Sequence, residues 1–163
     1  MKFSLINLKD IFLINIAQLY PIGKSRIAPG TLASLITLII GFYLINNLTK
    51  FSFISFLFFS IIISYFSVKH YISLKQVNDP PEIVIDEFIG QLIAMLPFVI
   101  IGIEINYQNL LLCFILFRFF DISKIGLKTI EKIPGAWGIL LDDIFAGLYS
   151  CIIQIILWKS LVI

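Results

Sequence analysis

The chain has 163 residues, of which 60% are hydrophobic and 13% charged, with a mean hydropathy of +1.02. Soluble domains carry roughly 45–50% apolar and about 25% charged residues, so an ordinary water-soluble globule is excluded, and the apolarity also excludes a disordered chain. The net charge of +2 is too small for a broad nucleic-acid-binding face, two cysteines give no disulfide framework or zinc pattern, and a single histidine, His70, excludes any mechanism that needs two.

A helix that crosses a bilayer needs about 20 mostly apolar residues. In chain order, residues 8–20 are apolar but stop at Pro21, too short to cross, and are expected to form a helix lying at the interface. The Gly23-Lys-Ser-Arg stretch that follows is a poor cleavage site, so no signal peptide is expected. Crossings are then expected at residues 31–46, 51–68, about 88–105, about 109–120 and about 139–162. Pro97 should kink or break the third, and the fourth is short enough that it should extend past Arg118 toward Lys124. The two longer loops, about residues 69–87 and 121–138, carry turn signals in Asn78-Asp-Pro-Pro and Ile133-Pro-Gly. Lys and Arg number four before the first crossing, then one, two, none, four and one in the successive connections and the C-terminus. That alternation predicts an all-α polytopic bundle of about five crossings, one domain over residues 1–163, with the N-terminus in the cytoplasm. The same topology brings Asp79, Glu82, Asp86, Glu87, Asp121, Asp142 and Asp143 to the cytoplasmic face, a convergence that the lysine and arginine count did not assume.

Carboxylates beside hydrocarbon are costly, near 2.5–3.5 kcal/mol at a helix centre, and persist only when paired, hydrogen-bonded or metal-bound. Asp86/Glu87 and Asp142/Asp143 are read as lying at helix N-termini, where the dipole favours negative charge. One acid suffices for a cap, and two neighbours diverge by about 100° around the axis, so one can face a ligand while the other is braced. Carboxylate oxygens without thiols or paired histidines suit a hard cation, Mg²⁺ in particular. Arg118, Asp121 and Lys124 recur at spacing three, which reads either as a local salt-bridged ladder or as a phosphate clamp. Thr31, after Pro29-Gly, is read as a helix N-cap whose free backbone N–H groups make an anion site, with Ser34 one turn on. Gly135 to Gly138 reads as a tight loop, Trp137 as an interfacial anchor, and Cys113 and Cys151 as inert core residues.

These residues carry a resemblance. Residues 27–35 (Ile-Ala-Pro-Gly-Thr-Leu-Ala-Ser-Leu), 79–90 (Asp-Pro-Pro-Glu-Ile-Val-Ile-Asp-Glu-Phe-Ile-Gly), 117–124 (Phe-Arg-Phe-Phe-Asp-Ile-Ser-Lys) and 138–147 (Gly-Ile-Leu-Leu-Asp-Asp-Ile-Phe-Ala-Gly) resemble, in order, four motifs of the phosphatidylglycerophosphatase A family. The chain differs from the family pattern at Ile125, where proline is common, at Ala33, where glycine is usual, and at Lys24-Ser-Arg26, which replaces a glycine-rich stretch. The resemblance implies a Mg²⁺-dependent phosphatase of the bacterial inner membrane, with its site on the cytoplasmic side. Its substrate would be the phospholipid phosphatidylglycerophosphate, released as phosphatidylglycerol and inorganic phosphate. By the same resemblance Asp86, Glu87, Asp121, Asp142 and Asp143 would be catalytic, with Mg²⁺ on a subset of Asp86, Glu87, Asp142 and Asp143. Arg118, Lys124, Thr31 and Ser34 would bind substrate, and Asp79 matches a further polar position. Two attacking groups fit, an activated water with one carboxylate as general base or a carboxylate that forms an aspartyl-phosphate.

Other phosphatase chemistries fail on residues. Cys113 and Arg118 have only four residues between them, one short of a cysteine-phosphatase loop, and neither a histidine nucleophile nor an Asp-x-Asp motif is present. A transporter or ion-binding protein using the same clustered acids is the competing class, but it needs polar groups at several membrane depths, and the clustered acids lie toward one face.

Overall fold

The computed structural model describes residues 7–77, 80–127, 129–130 and 133–162, and their regular structure is entirely helical. The helices are α1 (Leu8–Ala17), α2 (Pro29–Asn47), α3 (Lys50–Lys75), α4 (Ile85–Ala94), α5 (Leu96–Ile100), α6 (Tyr107–Ser123) and α7 (Ala136–Val162), with a 3-10 turn at Ile22–Lys24. Local chemistry sets their ends. Pro29, with its fixed φ, opens α2 after Ala28, which sits in the left-handed region. Thr49 Oγ1 accepts from the Ser52 N–H at the start of α3, and Asn106 Oδ1 accepts from the Asn109 N–H at the start of α6. Left-handed Gln76 and Lys124 close α3 and α6.

Three helices are long and apolar enough to cross a membrane, namely α2, α3 and residues Ala136–Ser160 of α7. The other two expected crossings are shorter. The third segment breaks at Met95 into α4 and α5, two residues before Pro97, whose ring clashes with the carbonyl four residues back. The break leaves the Ala94 carbonyl without its helical donor, because the Phe98 N–H bonds to Met95 O instead. Gln154 Nε2 of α7 fills the gap, donating to Ala94 O at 2.9 Å. The fourth segment is α6, whose 17 residues run past Arg118 to Ser123, as its shortness required.

The bundle is turned outward. Ile39 and Tyr43 of α2 are 63% and 65% exposed, and Phe58 and Phe59 of α3 about as much, a surface suited to hydrocarbon rather than water. The buried side of α2 is a seam of small residues, Gly30, Ala33, Ser34, Thr37 and Gly41, that lets it approach α4 closely. Helix α4 is the hub, touching α2, α3, α6 and α7, with seven of its ten residues buried. It crosses α7 at a pair of glycines, where a Cβ on Gly147 would overlap the Gly90 carbonyl oxygen and one on Gly90 would lie 2.7 Å from Asp143 O. Helix α1 forms where the short apolar stretch predicted it and packs on α3 near that helix's end, with Leu8 and Phe12 facing outward. There His70 meets Asp10 at 2.8 Å, and Gln18 donates to the Tyr71 hydroxyl. The Asn7 N–H and then the His70 contact hold the Asp10 carboxyl below its usual value despite some desolvation.

Helices α2, α4 and α7 begin at the same end of the bundle at which α3 and α6 finish, because residues from all five ends line one cavity. The polar chemistry of the chain is gathered there.

Candidate active site

The cavity has a volume of about 730 Å³. Asp86 and Glu87 enter it from the first turn of α4, and Arg118 and Asp121 from the last turns of α6. Lys124 stands just past the end of α6, Asp142 and Asp143 come from α7, and Gly30 and Thr31 from the start of α2. Pro80, Pro81, Ile133 and Pro134 close its rim.

The side chains sort into two groups. One carboxylate oxygen each from Asp86, Glu87 and Asp143 lie within 4.8 Å of one another. The second group is a chain of ion pairs. Arg118 bridges Glu87 (3.9 Å) and Asp121, and Lys124 bridges Asp121 (3.5 Å) and Asp142. The Arg118–Asp121–Lys124 ladder read from spacing therefore forms, and it extends at both ends onto other helices. Burial by itself depresses the Lys124 ammonium, but the Asp142 carboxylate, with Asp143 and Asp121 behind it, outweighs that and raises its pKa.

Among the described residues, five carboxylates face two cations in this cavity. Asp121, Asp142 and Asp143 are each less than 9% exposed, so solvent does little to dissipate the excess negative charge. Asp86 Oδ1 and Glu87 Oε2 are buried without a hydrogen-bond partner among the described residues, and so is Arg118 Nε. Hard oxygen donors, crowded together and left unsatisfied, are the donor set that a divalent cation such as Mg²⁺ takes. The residues present therefore fit that ion, with Asp86, Glu87 and Asp143 as its holders.

Several positions differ from their sequence reading. Asp142 and Asp143 are the seventh and eighth residues of α7, which begins at Ala136, so they do not sit at a helix N-terminus and the dipole gives them no support. The same early start places Trp137 and Gly138 inside the helix rather than in a loop, and only Gly135, at φ +80°, keeps the turn character. Thr31 is the third residue of α2 rather than its cap, although it does line the cavity. Ser34 lies behind Arg118, donating to Gly30 O at 2.9 Å and accepting from Arg118 Nη1 at 3.3 Å. Asp142 separates from the other three proposed metal-site acids and turns to Lys124. Asp79 lies outside the described residues.

Glycines that the reading left aside turn out to shape the site. A Cβ on Gly30 would overlap Glu87 Oε1, so only glycine leaves room for that carboxylate. Gly90 follows Asp86 by four residues and Gly147 follows Asp143 by four, so each acid stands one turn from the α4–α7 crossing. That shared Asp-x-x-x-Gly spacing was a signal available in the sequence. Gly30→Ala is expected to insert and fold but to release phosphate at least ~10-fold more slowly, because Glu87 must move; a phosphate-release assay beside a thermal melt in detergent checks it.

A family model described as Phosphatidylglycerophosphatase A matches residues 15–158. A Phosphatidylglycerophosphatase A of Haemophilus influenzae is 32% identical over 152 residues, covering 90% of this chain and 91% of the relative. A Bacteroides thetaiotaomicron protein, provisionally named a phosphatidylinositol-3-phosphatase, is 36% identical over 80 residues, 47% of each chain. No solved structure matches.

Proposed function

The chain belongs to the phosphatidylglycerophosphatase A family and is a phosphatase, and from that premise we propose that it uses Mg²⁺ to hydrolyse the terminal phosphomonoester of phosphatidylglycerophosphate at the cytoplasmic face of a bacterial inner membrane. The observation that carries this reading is the convergence of Asp86, Glu87 and Asp143 opposite Arg118 and Lys124 in one cavity. A transporter reading lacks such support, since these acids collect at one end of the bundle.

In the reaction a water oxygen bonds to phosphorus, the bond from phosphorus to the glycerol oxygen breaks, and the water's protons end on phosphate and on the new hydroxyl of phosphatidylglycerol. Arg118 and Lys124, which both line the cavity, take the phosphoryl oxygens and neutralise the charge that spreads over them. Asp121 holds both cations in place, and Asp142 fixes Lys124. Ser34 braces Arg118 from behind, while Thr31 lies at the cavity wall within reach of the substrate phosphate. Asp86, Glu87 and Asp143 would hold Mg²⁺, which when bound supplies positive charge and a lowered pKa for water. A carboxylate of the cavity receives the proton of the attacking water.

The membrane placement rests on the same architecture. We read α4–α5 and α6 as the third and fourth crossings beside α2, α3 and α7, making one five-crossing domain. Lys24, Arg26, Lys69, Lys75 and Lys124 lie toward the cavity end, against Lys50 and Lys159 at the other, which supports reading the cavity as lying in the cytoplasmic leaflet. The lipids named for the two relatives both carry a phosphomonoester on a headgroup that a phosphodiester joins to the diacyl chains. Such a headgroup stands at this depth, and the reaction would complete phosphatidylglycerol synthesis. Chelating divalent ions is expected to lower phosphate release from diacyl phosphatidylglycerophosphate by at least ~10²-fold, with Mg²⁺ restoring it. Full turnover in chelator would remove the cation from the reading.

A further inference from the structure

Beside the catalytic cavity lies a second, of about 580 Å³, which shares Ile72, Pro134 and Gly135 with it. One wall is aromatic, with the rings of Tyr65 on α3 and Trp137 on α7 4.6 Å apart and 31° from parallel. Lys69, one turn along α3, carries its ammonium 5.8 Å from the Tyr65 ring and has no carboxylate partner among the described residues. No described residue lining this cavity is acidic, whereas the catalytic cavity holds five carboxylates. The two spaces therefore differ in sign. Among the described residues, the first attracts a cation and meets an anion through Arg118 and Lys124, while the second offers an anion a lysine with no acid beside it.

The surroundings indicate what kind of anion. Tyrosine and tryptophan rings sit where headgroups meet acyl chains. From Tyr65, Ile62 and Phe58 continue along α3 away from the cavity, exposed on the same side of the helix, a strip suited to hydrocarbon. An anionic group at Lys69 with apolar chains running down that strip fits the phosphodiester of a lipid.

We propose that the second cavity holds the phosphodiester of the substrate lipid, with Lys69 as its counter-charge, while the terminal phosphomonoester occupies the catalytic cavity. This rests on the lipid-phosphatase reading above. The substrate has two phosphates joined by a three-carbon glycerol, and the protein has two adjoining cavities to receive them. Lys69 is then a specificity-determining residue that favours a lipid carrying both phosphates over phosphatidic acid, whose only phosphate is the monoester.

The test uses the full chain in neutral-detergent mixed micelles, as wild type, Lys69→Ala and Lys69→Arg. Diacyl phosphatidylglycerophosphate is the substrate, and phosphatidic acid is followed as substrate or competitive inhibitor. Lys69→Ala is expected to raise KM for phosphatidylglycerophosphate about tenfold at unchanged kcat, to leave the phosphatidic acid constant where it was, and to be restored by Lys69→Arg. An unchanged KM overturns the proposal, and so does an equal shift for both lipids, which would make Lys69 a contact to bulk anionic lipid. A wild type that releases no phosphate from phosphatidylglycerophosphate defeats the substrate assignment and this inference with it. An active wild type with indifferent Lys69 variants defeats the diester site alone.

Discussion

Asp86→Asn is expected to lower phosphate release from phosphatidylglycerophosphate by ~10²–10³-fold or more while the protein inserts and melts at least as well as wild type. The second half of that outcome is the informative one. Asp86 shares a 4.8 Å cluster with Glu87 and Asp143, in a cavity where, among the described residues, five carboxylates face two cations. Removing one negative charge from such a set relieves repulsion, so without divalent cation the Asp86→Asn variant should melt at the same temperature as wild type or above it. The wild type should gain thermal stability when Mg²⁺ is added, and Asp86→Asn and Asp143→Asn should lose most of that gain. Asp121→Asn separates the two kinds of acid. Asp121 is 8% exposed and lies between Arg118 and Lys124, so its loss leaves Arg118 with Glu87 and Lys124 with Asp142 as their remaining acid partners and should destabilise by roughly 1–3 kcal/mol whether or not Mg²⁺ is present. Activity within about threefold of wild type in both Asp86→Asn and Asp143→Asn would remove the cation site.

That contrast between Asp143 and its neighbour also marks how far the sequence could be read. Adjacency showed that Asp142 and Asp143 diverge, so that one can face a ligand while the other is braced; in the structure Asp142 meets Lys124 and Asp143 joins Asp86 and Glu87. Adjacency did not show which, because the rotation of α7 against α4 and α6 is a property of the packed bundle. The Arg118, Asp121 and Lys124 face was legible because its spacing lies within one helix turn system; its extensions to Glu87 and Asp142 were not, since they join residues 31 and 18 positions apart. The start of α7 was misread because Gly135 and Gly138 look alike in the sequence, yet only Gly135 takes a positive φ, while Gly138 is helical and small enough to sit against the Ile133 carbonyl. The third and fourth segments were legible as apolar runs but not in their lengths, because α4 is also buried among four neighbouring helices and the break before Pro97 splits its run. Tyr65 and Lys69 stand one turn apart on α3, but the second cavity could not be read from that spacing, since Trp137 joins them only through tertiary packing.

The crossing of α4 and α7 yields the other large effect, and its sign runs against helix propensity. Alanine in place of glycine within a helix ordinarily stabilises by about 0.8–1.0 kcal/mol. At Gly147 the added Cβ would meet the Gly90 carbonyl oxygen, which is backbone and cannot rotate away, and would lie 3.1 Å from Ile93 Cβ. The helices must part to admit it, at a cost of roughly 1–3 kcal/mol that exceeds the propensity gain, so Gly147→Ala is expected to lower the melting temperature. Parting them also draws Asp143 away from Asp86 and Glu87, one turn along the same two helices. A displacement on the order of 1 Å in such a set costs ~10²-fold in rate, and the thermal gain on adding Mg²⁺ should shrink with it. Leu148→Ala, one residue on and facing outward, provides the control: it touches the lipid side and should leave both activity and the Mg²⁺ response in place. Were Gly147→Ala as stable and as active as wild type, α4 and α7 could not be in backbone contact there, and the three carboxylates would have to be held together by some other part of the bundle.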